Sequence, residues 1–377
     1  MSRPAPRRGR PAAPRRAKKP RGASVVGRRF EAEVGPVAHG GHCVARVPVE
    51  DGTRVVFVRH ALPGETVVIE LTEGTEGDRF WRGDAVSVIE ASPDRVEAPC
   101  PVAGPGLCGG CDFQHVALPA QRALKAAVVR EQLARLARLD VPVEVEAVPG
   151  DVDGLRWRTR QRYVDLPDGR RGMRKHRSHD VVPVEDCLLE APAGPSYRVG
   201  EHTFEVADGG FWQVHPGAPA ALVSAVMSVL DVRPGESALD LYAGVGLFSR
   251  FLLDAVGESG RVVAVEGDPR ASELSLANCP GISASAGDVG EVLAREYAGH
   301  FDVVVLDPPR VGAKRAVVEA VVARGPRAVA YVACDPAALA RDLAIFAEHG
   351  YVMRSLRAFD LFPMTHHVEC VALLEKS

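Results

Sequence analysis

From Arg29 to Ile89 apolar and polar residues alternate in short runs, "FEAEVGPV", "GHCVARV", "TRVVFVRH", "ETVVIELTE" and "AVSVIEAS", separated by Gly, Pro and Asp. This spacing predicts a small β-barrel over residues 29–90. Over residues 91–200 the pattern turns irregular. One helix is expected there, from Pro119 to Leu139, on the apolar spacing Leu124, Val128, Leu133, Leu136. "LRWRTRQRYV" and "GRRGMRKHRSHDVV" read as two strands dense in arginine, facing either an anion or solvent. From Glu201 onward strands alternate with helices: "SALDLYAG", "RVVAVEGD", "FDVVVLDPPR" and "AVAYVACD" each precede a helical stretch. Residues 201–377 are therefore α/β, a Rossmann-like parallel sheet covered on both faces. The last two apolar runs, "YVMRSLRAFDLFP" and "HHVECVALLEK", have no helix between them and are expected to pair antiparallel at one edge.

With 377 residues, 46% of them hydrophobic, the chain can bury at least two cores. Charge divides it unevenly. Eleven of the 46 Lys and Arg residues precede Glu31, the first acidic residue, leaving 35 against 49 acidic ones. Residues 1–28 are expected to form a disordered basic tail, since five prolines within the first twenty residues forbid a helix. Such a tail either grips RNA phosphates or is merely solvated. There is no apolar leader, and no run reaches the ~18 residues a membrane span requires. A cytoplasmic protein with reduced cysteines is expected.

Three places concentrate chemistry. Cys100, Cys108 and Cys111 lie in "CPVAGPGLCGGCDFQH", and Cys187 follows in "EDCLLEAP". Four thiolates beside glycines suit either tetrahedral zinc or an iron-sulfur cluster, and spacing does not choose between them. In "LDLYAGVGLF", Asp240, Gly244 and Gly246 end the first parallel strand, and Glu266 ends the next, where a carboxylate can hold ribose hydroxyls. A nicotinamide site would want a third glycine, but that position is Ser249. Asp307 and Arg310 in "LDPPR" reach the same carboxyl rim, as does Cys334 in "YVACDPAALARDL". A thiol there is either core filler or a nucleophile.

Taken in order, "CGGCDFQH", "GFWQVHP", "LDLYAGVGLFS", "LDPPR", "YVACDPAALARDL" and "DLFPMTHHVEC" resemble the uracil-5 RNA methyltransferases that use S-adenosylmethionine, over residues 29–376. The resemblance implies an N-terminal TRAM barrel, a central iron-sulfur domain and a class I methyltransferase sheet. It also implies a [4Fe-4S] cluster on Cys100, Cys108, Cys111 and Cys187, with zinc as the alternative. Cys334 matches the nucleophile and Glu369 the general base. Gln213, Tyr242, Gly244, Gly246, Glu266, Asp288 and Asp307 fall where cofactor contacts are expected. A cluster with a TRAM barrel is similar to the ribosomal RNA branch, so the expected partner is ribosomal RNA, and the expected state is a monomer. Transfer RNA is the alternative substrate. The sequence departs from the family pattern in four places: Asp335 and His215 each stand where an Asn is usual, seven residues separate Cys100 from Cys108 where five are common, and Leu247 replaces a residue that is often polar.

The chemistry explains why those residues matter. Carbon 5 of uracil is a poor nucleophile, and a thiolate adding to carbon 6 turns the ring into an enolate able to take a methyl group. A cation should help ionise Cys334, and Arg310 is placed to do so. Glu369 would then remove the carbon 5 proton. A uridine reaches such residues only when turned out of its stack. The competing reading is a redox or radical iron-sulfur enzyme; the separate "LDLYAGVG" site counts against it.

Overall fold

The computed structural model describes residues 22–50 and 52–377. Most of the expected basic tail lies outside the described residues. Its last residues, 22–28, pack on the barrel, where Val25 is fully buried and its N–H donates to the Gly74 carbonyl.

Five strands, β1 (Arg29–Ala38), β2 (His42–Val49), β3 (Gly52–Arg59), β4 (Thr66–Glu73) and β5 (Phe80–Glu90), close into a barrel in the order β1-β2-β3-β5-β4. Alternate side chains, among them Val47, Val56, Val58, Val67, Ile69 and Leu71, fill its interior, as the period of two requires. Helix α1 (Leu118–Gln132) carries Pro119 in its first turn, where its missing N–H leaves nothing unbonded, and continues into a π-helical turn at Leu133–Ala137. The expected single helix is thus broken in register near its end.

Strand β6 (Val145–Ala147) comes next, then a small sheet of β7 (Val164–Asp165), β8 (Arg171–Arg174) and β9 (Val181–Pro183), and a pair, β10 (Arg198–Val199) and β11 (His202–Thr203). The arginine-dense runs are mostly loop, contrary to expectation. Several of their cations are held by acids of the same domain: Arg156 by Asp186, Arg170 by Asp168 and Arg171 by Glu190.

The remainder is α2 (Ala218–Leu230), β12 (Ser237–Leu241), α3 (Leu247–Val256), β13 (Arg261–Glu266), α4 (Pro269–Asn278), β14 (Ser283–Ala286), α5 (Val289–Glu296), β15 (Val303–Leu306), α6 (Lys314–Val322), β16 (Ala328–Ala333), α7 (Pro336–Glu348), β17 (Tyr351–Asp360) and β18 (Glu369–Lys376). The sheet order is β14-β13-β12-β15-β16-β18-β17-β6. Strands β15 and β16 are buried along their whole length, which is why they read as unbroken apolar runs. Leu239 and Leu241 enter the core on one face, Ala238 the core on the other.

The antiparallel end differs from the simple edge pair expected. Strand β18 inserts between β16 and β17, and β6 then adds parallel to β17 through Ala358 and Val145. A piece of the central segment is thereby part of the sheet. Among the described residues no helix is long and apolar enough to cross a membrane.

Candidate active site

Strand β16 ends at Ala333, which faces Cys370 across the antiparallel pair with β18. The next residues on either strand, Cys334 and Glu369, therefore stand side by side at the rim. Cys334 is half-buried and Glu369 only 4% exposed. Burial, followed by the charges of Glu369 and Asp307, pushes the Cys334 thiol up to about 12, with Arg310 opposing. Burial and Asp307 also raise the Glu369 carboxyl well above the carboxylate range, again against Arg310. Arg310 is the cation that favours the thiolate, as expected, but two acids outweigh it.

A cavity of about 190 Å³ opens at Cys334, its lining reaching Val368, the residue before Glu369. Its walls come from three parts of the chain: Cys334, Arg310 and His367 from the sheet rim, Lys125 and Val128 from α1, and His39, Gly40 and Gly41 from the β1–β2 turn of the barrel. Gly41 has φ +78°, and a Cβ there would stand 2.5 Å from Cβ of His366, so only glycine lets the turn lie against that loop. Nε2 of His39 lies 2.9 Å from Oδ2 of Asp335, whose other oxygen accepts from the Ala338 N–H and caps α7. Against the cost of burial, His39 and that N–H hold the Asp335 carboxyl below its ordinary range. An acid where the family has Asn thus has a partner in the barrel.

The loop before Glu369 is pinned from the cysteine segment. The N–H groups of Asp112 and Phe113 both donate to the Met364 carbonyl, and Met364 N–H donates to Gln121. Lys125, fully buried, is 2.5 Å from Asp360 and also donates to the Phe362 carbonyl. His39, Asp112, Lys125 and His366 were not singled out in the sequence. The signal for His366 lay inside "THHVE", but nothing local marks the others.

Of the expected cofactor residues, Tyr242, Gly244, Gly246 and Glu266 meet at one turn. Glu266 accepts from the N–H of Gly244 at 2.8 Å and of Asp268 at 2.9 Å. Tyr242 has φ 62° and Gly246 φ 93°, and a Cβ on Gly246 would meet Cys279 Sγ at 2.9 Å. Burial, then the Asp288 charge, pushes the Tyr242 hydroxyl up to about 12. Asp240 is fully buried, accepts from Ser249 at 2.6 Å, and is raised to about 7 by burial. Asp307, at the end of β15, is raised to about 7 by burial and by Asp240 and Glu266. Gln213 sits half-buried on the loop before α2, joined to the turn by no hydrogen bond among the described residues.

Cys100, Cys108, Cys111 and Cys187 line a single cavity with Gln114, Arg158 and Gln161. Three of the sulfurs accept N–H groups: Cys108 from Gly110 at 3.4 Å, Cys111 from Gln114 at 3.4 Å and Cys187 from Gln161 at 3.2 Å. Among the described residues no group of three or more His, Cys, Asp or Glu is arranged to hold a single metal ion. The site as it stands therefore supports neither the expected iron-sulfur cluster nor its zinc alternative.

A family model described as tRNA (Uracil-5-)-methyltransferase matches residues 291–377, and one for the TRAM domain matches residues 23–86. The chain is 44% identical to an "Uncharacterized RNA methyltransferase" of Streptomyces avermitilis, over 93% of this chain and 99% of that protein. It is 30% identical to the 23S rRNA (uracil(1939)-C(5))-methyltransferase RlmD of Shewanella amazonensis, over 95% of this chain and 98% of that one. The structure of Pyrococcus abyssi tRNA (uracil-54, C5)-methyltransferase with S-adenosyl-L-homocysteine shares the fold, with TM-score 0.68 over 92% of this chain and 99% of the other, at 19% identity. Similarity that runs through barrel, cysteine segment and sheet alike makes the chain a member of the S-adenosylmethionine-dependent RNA (uracil-5-)-methyltransferase family.

Proposed function

We propose that the chain methylates carbon 5 of a uridine in structured RNA, ribosomal 23S RNA in the first place, through a covalent bond between Cys334 and carbon 6. The observation that carries this reading is the register that sets Cys334 beside Glu369, with Cys334 on the wall of a cavity that the barrel turn also lines. Ribosomal RNA is favoured by similarity to the Shewanella enzyme over nearly the whole of both chains.

In this scheme S-adenosylmethionine supplies the electrophilic methyl group, while Tyr242, Gly244, Gly246, Glu266, Asp288 and Asp307 shape its site and Gln213 closes it from the neighbouring loop. Cys334 releases its proton to water, Arg310 favouring the thiolate by its charge, and the sulfur adds to carbon 6. The enolate so formed takes the methyl group at carbon 5. Glu369 then accepts the carbon 5 proton, the carbon-sulfur bond breaks and the thiolate returns. A carboxyl with a raised proton affinity is suited to that step. The uridine must be extruded, which costs least in an unpaired loop.

Cys100, Cys108, Cys111 and Cys187 would hold a [4Fe-4S] cluster. Sulfurs around one cavity that receive amide N–H groups fit that donor set, and a cluster spreads its ligands more widely than one ion does. It would serve to tie the cysteine loop to the rest of its domain.

The test is nucleoside mass spectrometry of ribosomal and transfer RNA from a deletion strain. Loss of 5-methyluridine at one 23S position, restored by the wild-type gene, is expected. Loss from transfer RNA alone would move the substrate to that class, and no loss anywhere would contradict the reading.

A further inference from the structure

A second cavity, of about 460 Å³, lies between the barrel and the hairpin that joins β8 to β9. His42, Phe57 and Arg59 line it from the barrel, His176 and Arg177 from the hairpin, with Arg82 and Glu73 at its side. It is next to the catalytic cavity. Gly40 and Gly41 wall one and His42, the following residue, walls the other.

Its lining has the chemistry of a nucleotide site. The His42 ring lies 6.0 Å from that of His176 and 6.3 Å from that of Phe57, giving aromatic surface on both walls. Nε2 of His42 and of His176 are buried and find no hydrogen-bond partner among the described residues, an expense a folded chain avoids unless something else fills the valence. Burial, then the Arg59 charge, lowers both imidazoles to about 4, so at neutral pH each is uncharged and can donate or accept. Arg82 and Arg177 stand at the side, both shared with Glu73 at 3.2 and 3.7 Å, so their charge is exchangeable for a phosphate at little loss. The hairpin tip is held in place by the cysteine loop, through Gly109 N–H to the Arg174 carbonyl.

We propose that this cavity binds one unpaired nucleotide of the RNA, adjacent in sequence to the target uridine, its base against the rings of His42, Phe57 and His176 and its phosphate on Arg82 and Arg177. The proposal rests on the uridine-methylation reading above. The turn at Gly40 and Gly41 would then separate two neighbouring bases, one presented to Cys334 and one held as a register mark.

The test uses the full chain, its His42→Ala and His176→Ala variants, and Thr72→Trp, which adds bulk at an exposed lining position without removing a ring. Binding of a fluorescent oligoadenylate roughly ten nucleotides long should weaken about tenfold in each variant. Affinity for S-adenosylhomocysteine should be unchanged, which controls for folding. On the mapped RNA, an abasic nucleotide at one position flanking the uridine should cost the wild type roughly tenfold in affinity and cost His176→Ala little more. Equal sensitivity of wild type and variants at every flanking position, or Thr72→Trp binding like wild type, would overturn the pocket. Because the oligoadenylate titration needs no methylation, failure of the pocket and failure of the methyltransferase reading remain distinct.

Discussion

Nδ1 of His366 stands 2.6 Å from Oδ2 of Asp112, joining the loop that leads into Glu369 to the residue next to Cys111. The same carboxylate accepts from the His366 N–H and lies 3.7 Å from Arg59 of the barrel. Barrel, cysteine segment and the loop before β18 therefore meet on one aspartate, 13% exposed.

Asp112→Ala should release that loop. Removing a buried, charged acceptor costs about 1.5–3 kcal/mol, and a small displacement of a catalytic group can cost about 100-fold in rate. Methyl transfer is expected to fall ~10- to 100-fold while affinity for S-adenosylhomocysteine stays within ~2-fold. Stopped-flow turnover with isothermal titration checks this, and equal loss of both would indicate general unfolding instead.

The four cysteines should act as a unit. Chain purified without oxygen is expected to be brown and to contain iron and sulfide, and Cys187→Ser should lose both, since its sulfur shares a cavity with the other three. Loss of the cluster should also weaken RNA binding, because Cys108 bridges Lys175 and the Asp112 N–H holds Met364. Colourless chain with no bound iron would contradict the cluster.

The pH profile follows from the raised acids at the rim. Cys334 is pushed to about 12, Asp307 to about 7, and Glu369 in the same direction, so the neutral forms persist to higher pH than usual. The chemistry needs the thiolate and the carboxylate. Single-turnover methylation should therefore rise from pH ~6 to pH ~9, and Arg310→Gln should shift the rise to higher pH, since Arg310 is the cation that lowers Cys334. A flat profile, or one unmoved by the variant, would remove Arg310 from that role.

Much of the architecture is legible along the chain because the relevant signals are local. Strands β15 and β16 are continuous apolar runs, and Cys334 after β16 and Glu369 at the start of β18 lie within recognisable motifs. Strand β6 is three residues long, too short to show a period, so its place in the sheet depends on packing against β17. The contact of His39 with Asp335 spans 296 residues, and Gly41 owes its identity to His366 on another domain. Arginine-dense runs cannot reveal which cations are already paired, as Arg156 and Arg171 are. The sequence-level reading of Arg310 was right in sign and silent on the two acids that outweigh it.

The covalent route through Cys334 and Glu369 is tested most directly by trapping. Glu369→Gln keeps the thiol and the methyl-transfer step but has no base for the carbon 5 proton, so the carbon-sulfur bond cannot break. Mixed with the mapped RNA and S-adenosylmethionine, this variant should accumulate a protein–RNA adduct that survives denaturing electrophoresis, and the double variant with Cys334→Ala should form none. An inactive Glu369→Gln that binds RNA and S-adenosylhomocysteine normally yet yields no adduct would contradict the account, as would an adduct that persists without Cys334.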